Sequence, residues 1–359
     1  MKIAVYGASG YTGRLVAAEL RRRGIEAVLS GRDAGRLRET AYGLGGAEVR
    51  PAGAEDPHAL TTVFRGCDAV INCASPFTAF GLGVVGAAVA AGCHYVDTSA
   101  EQEFLAGVFE RFAGEAQRAG VAVVPAIGYD ILPGDFVAHL AGTAIEPVEE
   151  LVVAYDLNNF GMTRGTLRSA YEMLNGTQLG YTDGVWNRSP RPARRTAVRF
   201  PGETDEAPVM AWPGCEVVTV PRHVQTRNVE VVINAAAATP EFSQLLQAPP
   251  ETAARVIDAL PEGPAEHERT AATFTVLAEA VSADGRLARA LIRGYDVYGS
   301  TAVMAVEGAR RLVAGGDRTG VLSPAQAFDI ADFLKFLSAH GFSYETQVAA
   351  SRDSITAQA

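Results

Sequence analysis

The sequence predicts an α/β fold: a doubly wound parallel sheet, followed by a second α+β domain carrying a largely antiparallel sheet. Three observations predict it. The first thirteen residues run from a short apolar stretch, Ile3 to Tyr6, through Gly7-x-x-Gly10-x-x-Gly13 and straight into a helical pattern. Short apolar strands then alternate with helices as far as Val124, as in a parallel sheet covered on both faces. From about Glu149 the apolar segments lengthen and follow one another with fewer helices between them, the texture of an α+β unit.

The elements follow in order. The helix after the glycine turn runs to about Arg23, where Arg21, Arg22 and Arg23 suit its negative end and Gly24 caps it. Ala27 to Leu29 form the second strand, Asp33 caps the next helix, and Val49 lies in a short third strand. Asp56-Pro57 starts a helix that Gly66 stops. Ala69 to Asn72 are the fourth strand, His94 to Val96 the fifth, and Val121 to Val124 the sixth, after a helix from Glu101 to about Arg118. In the second half, strands are expected over Leu151 to Tyr155, Val229 to Ala235, Phe274 to Ala280 and Leu287 to Ile292. Two helical segments, Ser300 to Val313 and Pro324 to Ser338 with Ser323 as N-cap, close the chain, and the last nine residues read as frayed. The expected division is 1–145, 146–298 and 299–359, the last packing back on the first.

Composition narrows the function. With 359 residues, 48% hydrophobic and 20% charged, the chain has room for two domains and a large core. A formal net charge of −10 gives no support to nucleic-acid binding. The four cysteines lack C-x-x-C pairing and follow no secretory leader, so they read as reduced thiols in a cytoplasmic protein. Ala69 to Cys93 carries no charge, but Asn72, Pro76 and the glycines break it into strand, loop and helix rather than a membrane span. The six histidines show no metal-ligand spacing, so no metal is expected.

The glycine turn carries the chemistry. Gly7, Ser9, Gly10, Tyr11, Thr12 and Gly13 would bring backbone amides and a helix N-terminus to a pyrophosphate, as in a Rossmann unit. The absence of Lys after the last Gly argues against an ATP-type loop. An NAD site usually ends its second strand in an acid, roughly 20 residues on. Here the stretch is Leu29-Ser30-Gly31-Arg32, without a carboxylate. Ser30 and Arg32 therefore point to NADP, the guanidinium suiting a 2′-phosphate. Ligands lie beyond the carboxyl ends of the strands, which places Asn72, Cys73, Ala74, Ser75, Pro76 and Phe77 at the nicotinamide end, with Phe77 packing on the ring, and Ser99 nearby.

Several motifs together resemble one family. Gly7-Ala8-Ser9-Gly10-Tyr11-Thr12-Gly13, Asn72-Cys73-Ala74-Ser75-Pro76-Phe77, Tyr95-Val96-Asp97 with Glu101, and Gly128-Tyr129-Asp130-Ile131-Leu132-Pro133-Gly134-Asp135 look like the saccharopine dehydrogenase-like reductases. Gly165-Thr166 with Ser169, Tyr298-Gly299-Ser300-Thr301-Ala302 and Leu322-Ser323-Pro324-Ala325 extend the likeness, and the trans-acting enoyl reductases are the branch most similar. The resemblance implies an NADP-binding domain, a substrate domain, hydride transfer and a homodimer. Ser75 stands where the family often has Gly, and Ser99-Ala100-Glu101 where it has Gly-Glu, so the substrate is expected to differ. The chain's lysines are Lys2 and Lys335, and Ala331 precedes the latter by four, so a Tyr-x-x-x-Lys pair cannot be built.

A reduction also needs a proton, for which the candidates are Tyr129, Asp97 through a water, and Tyr295 or Tyr298. Tyr129 leads these candidates; each reads first as a buried, hydrogen-bonded structural residue, and Cys73 as a buried thiol. Arg188, Arg191, Arg194, Arg195 and Arg199 form a cluster without an acid, either a solvated face or an anion site for an anionic or carrier-bound substrate. The leading expectation is an NADPH-dependent reductase of C=C bonds conjugated to a carbonyl. Reduction of C=N bonds and a non-catalytic NADPH-binding sensor or scaffold are the other readings.

Overall fold

The computed structural model describes residues 1–188, 192–315 and 318–349. The first sheet is built from β1 (Lys2–Tyr6), β2 (Glu26–Gly31), β3 (Glu48–Pro51), β4 (Ala69–Asn72), β5 (His94–Asp97) and β6 (Ala122–Val124). Its order is β3-β2-β1-β4-β5-β6, every pair is parallel, and the order of strand addition reverses between β1 and β4. Ile3, Val5, Val28, Leu29, Val70, Ile71, Tyr95 and Val96 are all fully buried, because helices cover both faces of the strands.

Those helices are α1 (Tyr11–Arg22), α2 (Ala34–Gly43), α3 (Pro57–Phe64), α4 (Phe77–Ala90) and α5 (Gln102–Ala119). Asp33 and Asp56 cap α2 and α3, accepting the Arg36 and Ala59 amides at 3.0 and 2.9 Å. Next in sequence comes α6 (Leu132–Thr143), which leaves the first sheet and lies on the second, packed on its strands with Phe136 and Val137 fully buried. One hydrophobic core therefore runs through both sheets, and the carboxyl end of β6 is drawn up to the second one.

The second sheet comprises β7 (Val148–Asn158), β8 (Gly180–Thr182), β9 (Val185–Asn187), β10 (Ala197–Val198), β11 (Ala207–Ala211), β12 (Val229–Asn234), β13 (Thr273–Ser282) and β14 (Leu287–Tyr295), with an edge strand from the C-terminal region. Pairing is antiparallel except between β7 and β12. The helix α7 (Arg164–Asn175) follows β7.

After β14 the helix Val297–Ala314 returns to pack on α1, β4 and β5. Then β15 (Gly320–Val321) adds a seventh parallel strand beside β6, and β16 (Ser343–Ala349) becomes the edge of the second sheet along β14. Two expectations are corrected here. Pro324 to Ser338 is two helices, because Asp329 accepts the Asp332 amide and starts a new one at Ile330. A strand, not a helix, is the last described element. Residues 351–359, expected to fray, lie outside the described residues. Among the described residues no helix is long and apolar enough to cross a membrane.

Candidate cofactor and substrate site

The glycine turn is held by backbone alone. Gly7 and Ala8 donate their amides to the Ser30 carbonyl oxygen at 2.9 and 3.1 Å, which fastens the turn to the end of β2. Gly7 has φ +79°, and a Cβ there would stand 2.9 Å from the Ala74 nitrogen. At Gly13 a Cβ would meet the Gly7 carbonyl oxygen at 2.2 Å, so α1 can approach the turn only with glycine there. No side chain caps α1, whose N-cap is Gly10; the amides of its first turn are left to an incoming acceptor. This cradle fits a pyrophosphate.

Around it stand three arginines. Arg32 is exposed at the end of β2. Arg14 and Arg36 donate to the Ser9 carbonyl oxygen at 2.8 and 3.1 Å, and both also pair with Glu262 from the second half of the chain. Neither Arg14 nor Arg36 is legible as a site residue from spacing alone, although Arg36 stands one helical turn past Arg32. The Ser30 side chain is fully buried, so its contribution to the turn is its carbonyl oxygen.

Beyond β4, Asn72 shapes the next loop: its side chain accepts the Ala74 amide at 3.0 Å and donates to the Tyr95 hydroxyl at 3.0 Å. Cys73 donates its amide to the Tyr6 carbonyl oxygen, and burial pushes its thiol up to about 12, which suits an inert residue rather than a nucleophile. Ser75 faces α7, where a Cβ on Gly165 would lie 3.1 Å from its Oγ. Phe77 departs from expectation. Its ring is buried against Phe104, with centroids 5.5 Å apart, and its amide is taken by Glu101, because α4 packs into the core against α3 and α5. Glu101 also accepts from the Thr78 amide and from Ser169 Oγ of α7, at 2.6 and 2.8 Å, so it ties the two halves together.

Past β5, Asp97 is fully buried, and its Oδ1 accepts from the Ser99 amide, Ser99 Oγ and the Ala126 amide at 3.0, 2.6 and 2.8 Å. Burial pushes its carboxyl up to about 6 against the pull of those bonds. Ser99 is spent on Asp97 rather than open to a ligand. Tyr129 follows β6; its amide donates to Thr301 and its ring packs on Phe160 and Phe274 at 6.0 and 5.6 Å. Phe160 in turn stacks on Tyr298, which meets Tyr11 edge-on at 5.2 Å. The Tyr298 hydroxyl accepts the Thr163 amide at 2.9 Å and bonds Thr166 Oγ1 at 3.0 Å. An aromatic wall thus runs from the β6 loop to the glycine turn. Tyr295 is exposed at the end of β14.

Tyr155 brings together two acids, Glu216 and Asp130, that sequence spacing does not connect. The Tyr155 hydroxyl donates to Glu216 and lies 2.6 Å from the Asp130 carbonyl oxygen; Glu216 is fully buried. Burial pushes Glu216 up to about 8 and Asp130 up to about 7. The fold also joins two histidines read as scattered: His223 lies 2.8 Å from Asp135 and 3.1 Å from His139. In the arginine cluster, Arg188, Arg194 and Arg195 pair with Glu103, Glu150 and Glu279. Those acids come from distant strands and helices, so the unopposed positive face read from sequence is neutralised there. Arg199 is exposed, and Arg191 lies outside the described residues.

Comparison with known proteins bears on the first sheet. Residues 3–124 match the family model described as the saccharopine dehydrogenase NADP binding domain. The first unit of this chain is thus similar to the NADP-binding domain of saccharopine dehydrogenases. A lipid droplet localized protein of Caenorhabditis elegans is 33% identical over 145 residues, 37% of this chain and 34% of that protein. A trans-acting enoyl reductase of Mycobacterium tuberculosis is 32% identical over 139 residues, 37% of this chain and 33% of that protein. The matched stretch thus spans about a third of the length of these curated relatives. The whole fold is similar to a solved saccharopine dehydrogenase (L-Glu forming) of Saccharomyces cerevisiae, with a TM-score of 0.58 over 97% of this chain and 99% of that one, at 15% identity. The NADP-binding domain is therefore joined to the second sheet in an arrangement that this enzyme shares.

Proposed function

We propose that the protein is an NADPH-dependent oxidoreductase that transfers hydride to a C=C bond conjugated to a carbonyl. The observation that carries the substrate class is the aromatic wall of Tyr129, Phe160 and Tyr298, which offers an apolar surface beside the cofactor loops. In this reading the amides of the glycine turn hold the pyrophosphate, and Arg32, Arg14 and Arg36 take the 2′-phosphate. Asn72 orients the loop of Cys73, Ala74, Ser75 and Pro76 along the nicotinamide ribose. The bound nicotinamide supplies the hydride. Tyr129, whose ring lines the wall after β6 beside Phe160 and Phe274, is the proton donor in this reading. Asp97 is a positioning residue: by gripping Ser99 and Ala126 it fixes the backbone that leads to Tyr129.

One observation favours a second reading, reduction of a C=N bond. Glu216, bonded by Tyr155, and Asp130 are carboxyls that burial holds protonated toward neutral pH, and an imine nitrogen needs such a proton source. Oxidation of NADPH in the presence of enoyl thioesters or of cyclic imines separates the two. Turnover of enoyl thioesters supports the first reading, turnover of imines alone supports the second, and NADPH binding without turnover of either leaves a sensor or scaffold. A cytoplasmic homodimer belongs to the same proposal, supported by buried, unpaired Cys67, Cys93 and Cys215 for the compartment and by family resemblance for the dimer. Mass measurement in solution tests the dimer.

A further inference from the structure

Residues 260–264 cross from the second half of the chain onto the glycine turn. The Arg164 amide donates to the Glu262 carbonyl oxygen at 3.2 Å and Arg164 Nε to that of Leu260 at 2.6 Å, while Tyr11 donates its hydroxyl to the Pro264 carbonyl oxygen at 2.7 Å. A Cβ on Gly263 would fall 2.6 Å from the Tyr11 ring, so the strap lies directly on the turn. From it the Glu262 side chain reaches Arg14 Nη2 at 2.6 Å through one oxygen and Arg36 Nη2 through the other. Both guanidiniums are also anchored on the Ser9 carbonyl oxygen. Together with Glu39 and Thr40 these groups line a cleft of about 500 Å³ beside the turn.

An acid here is unexpected for a site that must take a polyanion. Two guanidiniums that grip the two oxygens of one carboxylate present the same spacing to two oxygens of a phosphate. Their place, at the start of α1 and one turn past Arg32 on α2, is where a bound adenosine would carry its 2′ substituent. We infer that Glu262 is an internal stand-in for the 2′-phosphate, holding Arg14 and Arg36 until NADP(H) exchanges for it. The inference rests on the NADP assignment above and adds a residue that sets affinity and cofactor preference. Exchange needs only the side chain to move. The Glu262 side chain is 36% exposed and can turn to water, while the backbone bonds of the strap stay made.

The test is equilibrium titration of the full chain and its Glu262→Gln and Glu262→Ala variants with NADPH, NADH and adenosine 2′-monophosphate, on samples whose melting shows them folded. Partly exposed ion pairs are each worth little, so the expected gain is roughly three- to tenfold tighter binding of NADPH and adenosine 2′-monophosphate in both variants, with NADH unchanged. Unchanged or weaker NADPH binding in both variants, with the preference over NADH retained, overturns the inference and leaves the NADP assignment standing. A wild-type chain and variants that all bind NADPH no better than NADH overturn both.

Discussion

The Ala74 nitrogen lies 2.9 Å from where a Cβ of Gly7 would stand, so the glycine turn and the loop after β4 touch backbone to backbone. Gly7 also holds φ +79°, which an L side chain resists. Gly7→Ala is therefore expected to cost ~1–3 kcal/mol of stability and to weaken NADPH binding at least about tenfold. Urea unfolding and a cofactor titration check the two effects separately.

Arg32 stands at the carboxyl end of β2 where an NAD-binding unit would have an acid. Arg32→Ala should weaken NADPH binding by roughly ten- to a hundredfold, the worth of a charge-assisted hydrogen bond, and leave NADH within about twofold. Equal losses for both cofactors would remove Arg32 from the 2′-phosphate site.

Glu216 makes stability depend on pH. Burial, with repulsion from Asp135 and Asp130, pushes its carboxyl up to about 8 from an ordinary 4.5. The folded chain then binds more protons than the unfolded one between those values. This contribution is complete below about 4.5 and is lost as pH rises through about 8. Asp97, at about 6, and Asp130, at about 7, act with the same sign over narrower windows. Melting temperature should fall as pH goes from 5 to 8.5, and Glu216→Gln should flatten the slope and raise the melting temperature at the alkaline end. A parallel slope in the variant would assign the dependence to other groups.

Glu101 accepts from the Phe77 and Thr78 amides and from Ser169, joining α4 to α7 across the two halves of the chain. Glu101→Ala leaves the buried Phe77 amide and the partly buried Thr78 and Ser169 donors unpaired and is expected to cost about 2–4 kcal/mol. Urea denaturation measures it, and Glu101→Gln, which keeps an acceptor, should recover part of the loss.

What could be read in advance was local. β1, β4 and β5 are short apolar runs ended by turns, and Asp33, Asp56 and Ser323 announce helix starts through bonds three residues away. The glycine turn lies within one βαβ unit and is legible for the same reason, as is the place of Arg32 directly after β2. What was not legible depends on distance in the chain. Glu262 meets Arg14 across 248 residues, Glu216 meets Tyr155 across 61, and β15 joins β6 from nearly 200 residues on. The acids that neutralise the arginine cluster likewise come from β7, β13 and α5. Phe77 was misjudged because a residue at the mouth of a loop was read from its position, whereas its ring belongs to the buried start of α4.

The central claim is hydride transfer from NADPH held at the loops that follow β4, β5 and β6, beside the aromatic wall. Following deuterium from deuterated NADPH into product tests it most directly, with an enoyl thioester and a cyclic imine as paired acceptors. The account predicts label on the β-carbon of the saturated thioester, with the rate cut by Tyr129→Phe far more than NADPH affinity is. NADPH that binds tightly yet delivers no label to either acceptor would contradict it.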